Sequence, residues 1–384
     1  MAALRRCWIF FLKFHLMLSI SDAINRKLSI QEFKCPPSNC SQETSLVWVK
    51  AKADDNTTIH YLWTTYPVPT IVVAYTTTHR DVKLHLNWEK MVNTSTRDSS
   101  LRFEPPVKYS FGFSIPIIYE YNDVHDKAVI QGNKHVVKHA FAKSTKWKVK
   151  RDDSKGKVKF TTANNSIILV FVASTSPGRE KKLPCEKYTA DSCRFSLTMD
   201  HVKVATNNTR FAVEINYIYE GDKKPDMAKK RLFDDEYSPG VFEIVYGKVS
   251  SVNGTAYAQW KPIAYTNPEL GRKVQTKAIA SSFKIVKRSW NIGDALIGSH
   301  QVYGVNLSFG VTKDGFYQKN HYLTWSGIVG YGKPATETMS FLVILIISIG
   351  LGLPIAIIVF GGTYLQIRKR CCKSNRGISY AQIN

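Results

Sequence analysis

Acidic residues are in short supply in this chain. Thirty Asp and Glu stand against 53 Lys and Arg over 384 residues, a formal net charge of +23 at pH 7. The densest acidic stretch is FDDEYSPGVF, Phe233–Phe242. Paired carboxylates for glycoside hydrolysis, or a calcium site, need acids converging from separate elements. Three adjacent acids in a loop before Pro239 and Gly240 point apart, so a solvated or loop-fixing role is expected. Missing too are the G-x-S-x-G elbow, H-E-x-x-H, the P-loop and G-x-G-x-x-G, each of which places a nucleophile, a metal or a phosphate by backbone geometry. The expectation is a protein that is not an enzyme, with no cofactor and no metal.

Cysteine is scarce as well, seven in all. Cys7 lies in an N-terminal apolar run. Cys35, Cys40, Cys185 and Cys193 form an even set, suited to an oxidising compartment. Four cysteines allow three pairings; the short separations suggest Cys35–Cys40 and Cys185–Cys193, without settling it. Their spacing is not that of paired C-x-x-C knuckles and no histidine stands at ligand distance, which argues against zinc. Cys371 and Cys372 follow a membrane-like segment, where palmitoylation and idle thiols are equal readings.

That segment is the one long run without charge. FLVILIISIGLGLPIAIIVFGGTYL, Phe341–Leu365, holds 25 uncharged residues. As a helix it would reach roughly 37 Å, enough to cross a hydrocarbon core of about 30 Å with some tilt. Arg368, Lys369, Arg370 and Lys373 follow, and positive charge collects on the cytoplasmic side. At the other end, Arg5 and Arg6, an apolar run and the small Ser21 and Ala23 make a signal-peptide pattern. The expected organisation is a signal peptide over 1–23, a lumenal domain over 24–338, a membrane helix over 339–367 and a cytosolic tail over 368–384. An uncleaved anchor is the other reading, but Lys13 and His15 interrupt the first run. The secretory setting argues against nucleic acid despite the basic balance.

Between the two apolar segments, N-x-S/T occurs at Asn56, Asn93, Asn164, Asn207, Asn253 and Asn306. Asn39 is doubtful, because its middle residue is Cys40. Six ordinary sequons across one secreted domain imply a glycosylated surface, which slows protease attack. The basic stretch KSTKWKVKRDDSKGKVKF, Lys143–Phe160, reads first as a solvated loop or an edge strand whose lysines discourage edge pairing. The sharper reading is a patch for anionic lipid headgroups or acidic glycans.

The period of the same region is two. SLVWVKA, TIHYLWTT, TIVVAYTTT, SIILVFVAS and RFAVEINYIY are short and rich in Val, Ile, Thr, Tyr and Phe, with polar or Gly/Pro breaks. Many short strands predict a mainly β fold, an antiparallel sandwich or two packed together. TRDSSLRF and DMAKKRLF carry a helical period. A weak domain-boundary signal falls at Asp152–Lys157. His60, His85, His201 and His321 sit in strand-like segments; each is expected to be a half-buried packing residue, and a lumenal pH sensor is the alternative.

Seven blocks resemble one family: NTTIHYLWTTYPVPTIVVAYTTTHRDVKLHLNWEKM, YTADSCRFSLTM, FDDEYSPGVFEI, AQWKPIAY, VNLSFG, HYLTWSGIVGYG and the terminal YAQIN. In this order, from about Asn56 to the last residue, they are similar to the glycosylated lysosomal membrane protein family. Gly304 stands where that resemblance would place a cysteine. The resemblance implies a type I lysosomal protein. It further implies an accessory subunit that stabilises a multi-pass major-facilitator dipeptide transporter and shields it from proteases. It also implies a sorting motif at Tyr380 and Ile383, a Y-x-x-Ile for a clathrin adaptor. Ser348, Gly352 and Ala356 recur every four residues of the membrane helix, a small-residue face that lets another helix approach. Pro354 is expected to bend it. A membrane-anchored lumenal hydrolase and a recognition receptor are the competing readings.

Overall fold

The computed structural model describes residues 24–40, 43–130, 136–140, 146–221, 223–231, 243–287, 290–298, 301–336 and 341–372. It divides into two units at Thr336 and Glu337. The signal-peptide pattern, the acidic stretch at 233–242 apart from its last residues' strand neighbour Glu243, and the Tyr380/Ile383 motif lie outside the described residues.

The first unit opens as a meander of β1 (Arg26–Lys34), β2 (Ser45–Ala53), β3 (Thr57–Thr64) and β4 (Thr70–Thr77). A small hairpin of β5 (Lys83–Leu86) and β6 (Leu101–Glu104) leads to the long β7 (Tyr109–Asn122), which pairs with β4 and then with β8 (Val136–Ala140). Pro116 has no amide hydrogen, and it sits between the residues of β7 that pair with β4 and those that pair with β8.

The chain then builds a second sheet from β9 (Trp147–Asp152), β10 (Lys157–Thr162) and β11 (Ile167–Ala173). After a short hairpin of β12 (Gly178–Arg179) and β13 (Lys187–Tyr188) comes β14 (Ser192–Asp200), which pairs with β11. β15 (Thr209–Tyr219) returns to β7 in the first sheet. β16 (Asp226–Arg231), β17 (Glu243–Ser251), β18 (Gly254–Trp260) and β19 (Ile263–Tyr265) rejoin the second. β20 (Gln275–Ala280), β21 (Lys284–Ile285) and β22 (Tyr303–Phe309) go to the first, and β23 (Tyr322–Tyr331) inserts between β14 and β18. β20 pairs with β19 on one side and β22 on the other, linking the two sheets.

The sheets interleave in sequence, so the expected boundary at Asp152–Lys157 is not one. That stretch is the tight turn from β9 to β10, closed by Gly156 in the left-handed region at φ 59°. DMAKKR is not helical either; it is β16, an edge strand on β17.

Alternation fills the space between the sheets with rings. Trp63 of β3 stacks on Phe171 of β11 at 5.6 Å, Phe113 of β7 meets Phe195 of β14 at 5.0 Å, and Phe195 meets Trp325 of β23 at 5.1 Å. Such pairs add to their area burial. The outer face of β2–β4 is covered too, by a second cluster in which Trp48, Leu62 and Val72 meet Trp88, Phe103 and Trp290. Two buried faces explain why these strands read as nearly unbroken apolar runs. Arg26 anchors the first strand. Its guanidinium is buried, donates to Asp191 at 2.7 Å and to the carbonyls of Ala51 and Thr57 at 3.1 Å.

His60 sits on β3 within the second cluster. Trp48 Nε1 donates to its Nδ1 at 3.2 Å, so the proton is on Nε2, which faces Thr76 Oγ1 at 2.9 Å. Burial, with help from the Lys50 charge, depresses its pKa to about 3. It is fully buried rather than half-buried, and neutral at pH 5. Because the folded pKa lies below the unfolded value, this contribution is intact above about pH 6.5 and is lost as pH falls toward 3. At pH 5 the loss is on the order of 2 kcal/mol. His60→Gln keeps a donor and an acceptor but cannot titrate. Its unfolding free energy, measured in denaturant from pH 7 to pH 4.5, is expected to fall less steeply than the parent's by about one proton; parallel curves would refute it. His85 is exposed and meets Glu104 at 2.9 Å, whereas His201 and His321 occupy left-handed turns, φ 49° and 52°, not strands.

The second unit is one helix, Phe341–Cys372, with Pro354 inside it. Its segment Leu345–Arg370 is long and apolar enough to cross a membrane. The helix runs through Arg368–Arg370, the first residues of the expected cytosolic tail. Cations are favoured at a helix C-terminus, where they oppose the macrodipole.

Candidate functional site

Five of the six ordinary sequons fall at turns. Asn56 joins β2 to β3 with φ 65°, and Asn253 joins β17 to β18. The pairing of Thr57 with Thr77 puts Asn56 beside the end of β4; a side chain at Gly254 would touch Tyr109 and Tyr331, where Tyr75 stacks on Tyr331 at 4.3 Å. Asn164 joins β10 to β11 and Asn207 leads into β15, at the opposite end of the strands. Asn93 follows a short helix outside the sandwich. Asn93, Asn164, Asn207 and Asn253 are exposed and Asn56 half-exposed, accessible to a large substituent. Asn306 differs: it lies mid-strand in β22, opposite Glu214 and half-buried. Asn39 is in the turn closed by the Cys35–Cys40 disulfide.

The structure bears out that disulfide but does not join Cys185 to Cys193. Cys193 projects from β14 into the core, where burial pushes its thiol up to about 12. Cys185 lies in the loop on the outer side of the sheet, near Leu183 and Tyr265. A strand separates the two, so their closeness in sequence does not bring the sulfurs together. At Gly304 a Cβ would come within 2.5 Å of Val286 and 2.9 Å of Asn216, so the site is shaped for glycine.

The densest charge cluster is built on Arg210, whose guanidinium is 3% exposed. Nε donates to Asp123 at 2.8 Å, Nη2 to Asp126 at 2.6 Å and Nη1 to Asp314 at 2.7 Å; Phe316 packs over it at 4.8 Å. The partners come from the loops after β7 and β22. Gly310, at φ 122°, is required, because a Cβ there would stand 2.2 Å from Nη1. The guanidinium, by direct hydrogen bonding, holds Asp126 below the usual carboxylate range. No single acid of this set was legible as a partner of Arg210 in the sequence.

A cleft of about 320 Å³ opens beside the cluster, lined in part by Asp314, Lys273, Lys319, Tyr317 and Tyr322. Its carboxylate is already engaged: Asp314 Oδ1 binds Arg210, while Oδ2 accepts from Val311 N–H at 2.9 Å and from Thr276. The floor of this cleft therefore closes the sandwich. A second cleft, about 310 Å³, lies on the outer face of β11, β14 and β23 beside Glu180 and Arg194. Burial raises the Glu180 pKa. Among the described residues, no group of His, Cys, Asp and Glu is arranged to hold a metal.

On the helix, Ser348, Gly352 and Ala356 share a face by their spacing of four. Nothing lies within 4 Å of a Cβ placed at Gly352. The face is open to lipid or to another helix.

Residues 45–371 match the family described as "Glycosylated lysosomal membrane protein". Glycosylated lysosomal membrane protein B of Xenopus laevis is 27% identical over 368 residues, covering 88% of this chain and 89% of the relative. The glycosylated lysosomal membrane protein of Danio rerio is 26% identical over 407 residues, 96% and 94% of the two chains. That of Homo sapiens is 26% identical over 343 residues, 82% of each. These relatives are named as membrane proteins rather than by any catalysed reaction.

Proposed function

The chain belongs to the glycosylated lysosomal membrane protein family, and we propose that it is the accessory subunit of a multi-pass major-facilitator transporter that exports dipeptides, binding that carrier and shielding it from proteolysis. In this reading residues 1–23 are removed as a signal peptide, the β unit faces the lumen, and the helix crosses once in type I orientation. The tail carries Tyr380 and Ile383 to a clathrin adaptor, and Cys371 and Cys372 tether it by acylation. The observation that carries the reading is the placement of the sequons, at turns on both ends of the sandwich, where glycan covers the segments a protease would enter first. The open Ser348/Gly352/Ala356 face supports a second contact, within the membrane, where helix association depends on close packing. Purification of the full chain in mild detergent, followed by mass spectrometry, is expected to recover a multi-pass carrier in near-equal amount. Recovery of the glycoprotein without such a carrier would count against the role and favour an anchored hydrolase or receptor.

A further inference from the structure

The basic stretch of the sequence folds into β9 and β10, and their pairing gathers its lysines on one face. On β9, Trp147 is buried and Val149 packs inward, so Lys148 and Lys150 point out and are exposed. On β10, Val158 and Phe160 are buried, leaving Lys157 exposed and Lys159 half-exposed on the same outer face. The register sets Lys150 directly opposite Lys159, Lys148 opposite Thr161 and Lys157 opposite Asp152. Outward residues on one strand are about 6.7 Å apart and neighbouring strands about 4.8 Å. Four ammonium groups thus share a patch two strands wide, and the exposed Lys146 stands just before it.

This patch is not neutralised from within. Asp152, the one acid of the two strands, accepts from Ser154 at 2.7 Å and pairs with Lys155 at 3.3 Å. Arg151 turns the other way, to Glu32 and Asp153. Among the described residues no ion pair reaches Lys148, Lys150, Lys157 or Lys159. Like charges directly opposite on a sheet are destabilising. Edge protection accounts for the lysines of β9, which among the described residues pairs only with β10. It does not account for those of β10, which is hydrogen-bonded on both sides, by β9 and β11, and has no edge to guard.

An anionic ligand supplies the missing charge. Lysine is a compact, strongly hydrated point charge on a flexible stem, suited to separate anionic groups rather than to one bidentate partner. Protein interfaces are depleted in lysine, and a bilayer-adsorbing face needs large apolar side chains beside the cations. Here the neighbours on β11 are the half-buried Ile168, Val170 and Val172. We propose that the lysine ladder of β9 and β10 docks a linear polyanionic glycan, a sulfated or carboxylated polysaccharide.

The test is binding of the full chain in detergent to heparin as salt is varied. It compares the parent with K148Q/K150Q/K157Q/K159Q and with the control K224Q/K230Q/K277Q/K284Q, which removes the same charge from four exposed lysines elsewhere. For a dense polyanion each engaged cation adds about 0.7–0.9 to the slope of log affinity on log salt. The ladder variant is expected to lose about 3 in slope and bind at least on the order of tenfold more weakly near physiological salt, with the control close to the parent. Equal losses in the two variants would reduce the effect to net charge and overturn the proposal. So would unchanged binding by the ladder variant, or binding to phosphatidylserine vesicles without binding to heparin. Melting temperature reports folding, and K157Q/K159Q alone serves if the fourfold variant fails to fold.

Discussion

Replacing Arg210 by methionine is expected to destabilise the β unit by about 3–5 kcal/mol, the cost of stranding one partner of a buried ion pair. The guanidinium is the only cation in contact with Asp123, whose side chain is 2% exposed, among the described residues. Methionine fills similar volume but leaves Asp123, Asp126 and Asp314 facing one another without a counter-charge. The defect should shrink with acid. Crowded carboxylates without Arg210 have folded pKa values raised above their unfolded ones, so the penalty is full at neutral pH and declines as pH falls and they protonate. Adding Asp123→Asn should recover part of the loss. Denaturant unfolding at pH 7 and pH 4.5 measures both effects. A cost under about 1 kcal/mol at pH 7 would mean the cluster is solvated and ordinary.

The second large effect concerns the proposed partner. Removing residues 24–336 while keeping the helix and tail should shorten the transporter's lifetime in lysosomes several-fold. Inhibitors of lumenal proteases should restore it. Asn→Gln at Asn56, Asn93, Asn164, Asn207, Asn253 and Asn306 together should shorten the lifetime less than removing the β unit does, because contact remains but cover is lost. Gly352→Leu adds bulk where backbones would meet and should weaken co-purification without abolishing it. Pulse-chase measurement of the carrier decides the matter: equal half-lives with and without the β unit would leave no role for shielding.

The strands were legible because each carries its own period. SLVWVKA, TIHYLWTT and SIILVFVAS became β2, β3 and β11 within a residue or two. Their partners were not. β14 pairs with β23, with Thr198 opposite Thr324, and nothing local in either strand specifies a neighbour so distant in the chain. The same limit hid Arg210, whose acids come from loops separated by almost two hundred residues and meet only when β7, β15 and β22 align. Cysteine proximity misled for a related reason. An eight-residue spacing fits a disulfide, but a strand turns alternate side chains to opposite faces, and Cys193 faces inward.

Arg26 gives the start of the chain a particular character. A cut after Ala23 would leave Ile24 and Asn25 outside the fold, both exposed, before a side chain held by Asp191 and two carbonyls. An aminopeptidase draws its substrate in as a loose end, several residues at a time. After such a cut the loose end would be two residues long, and taking a third would mean pulling a buried guanidinium out of both sheets. Trimming from that terminus would therefore stall almost where it begins, with the first strand protected without any sugar.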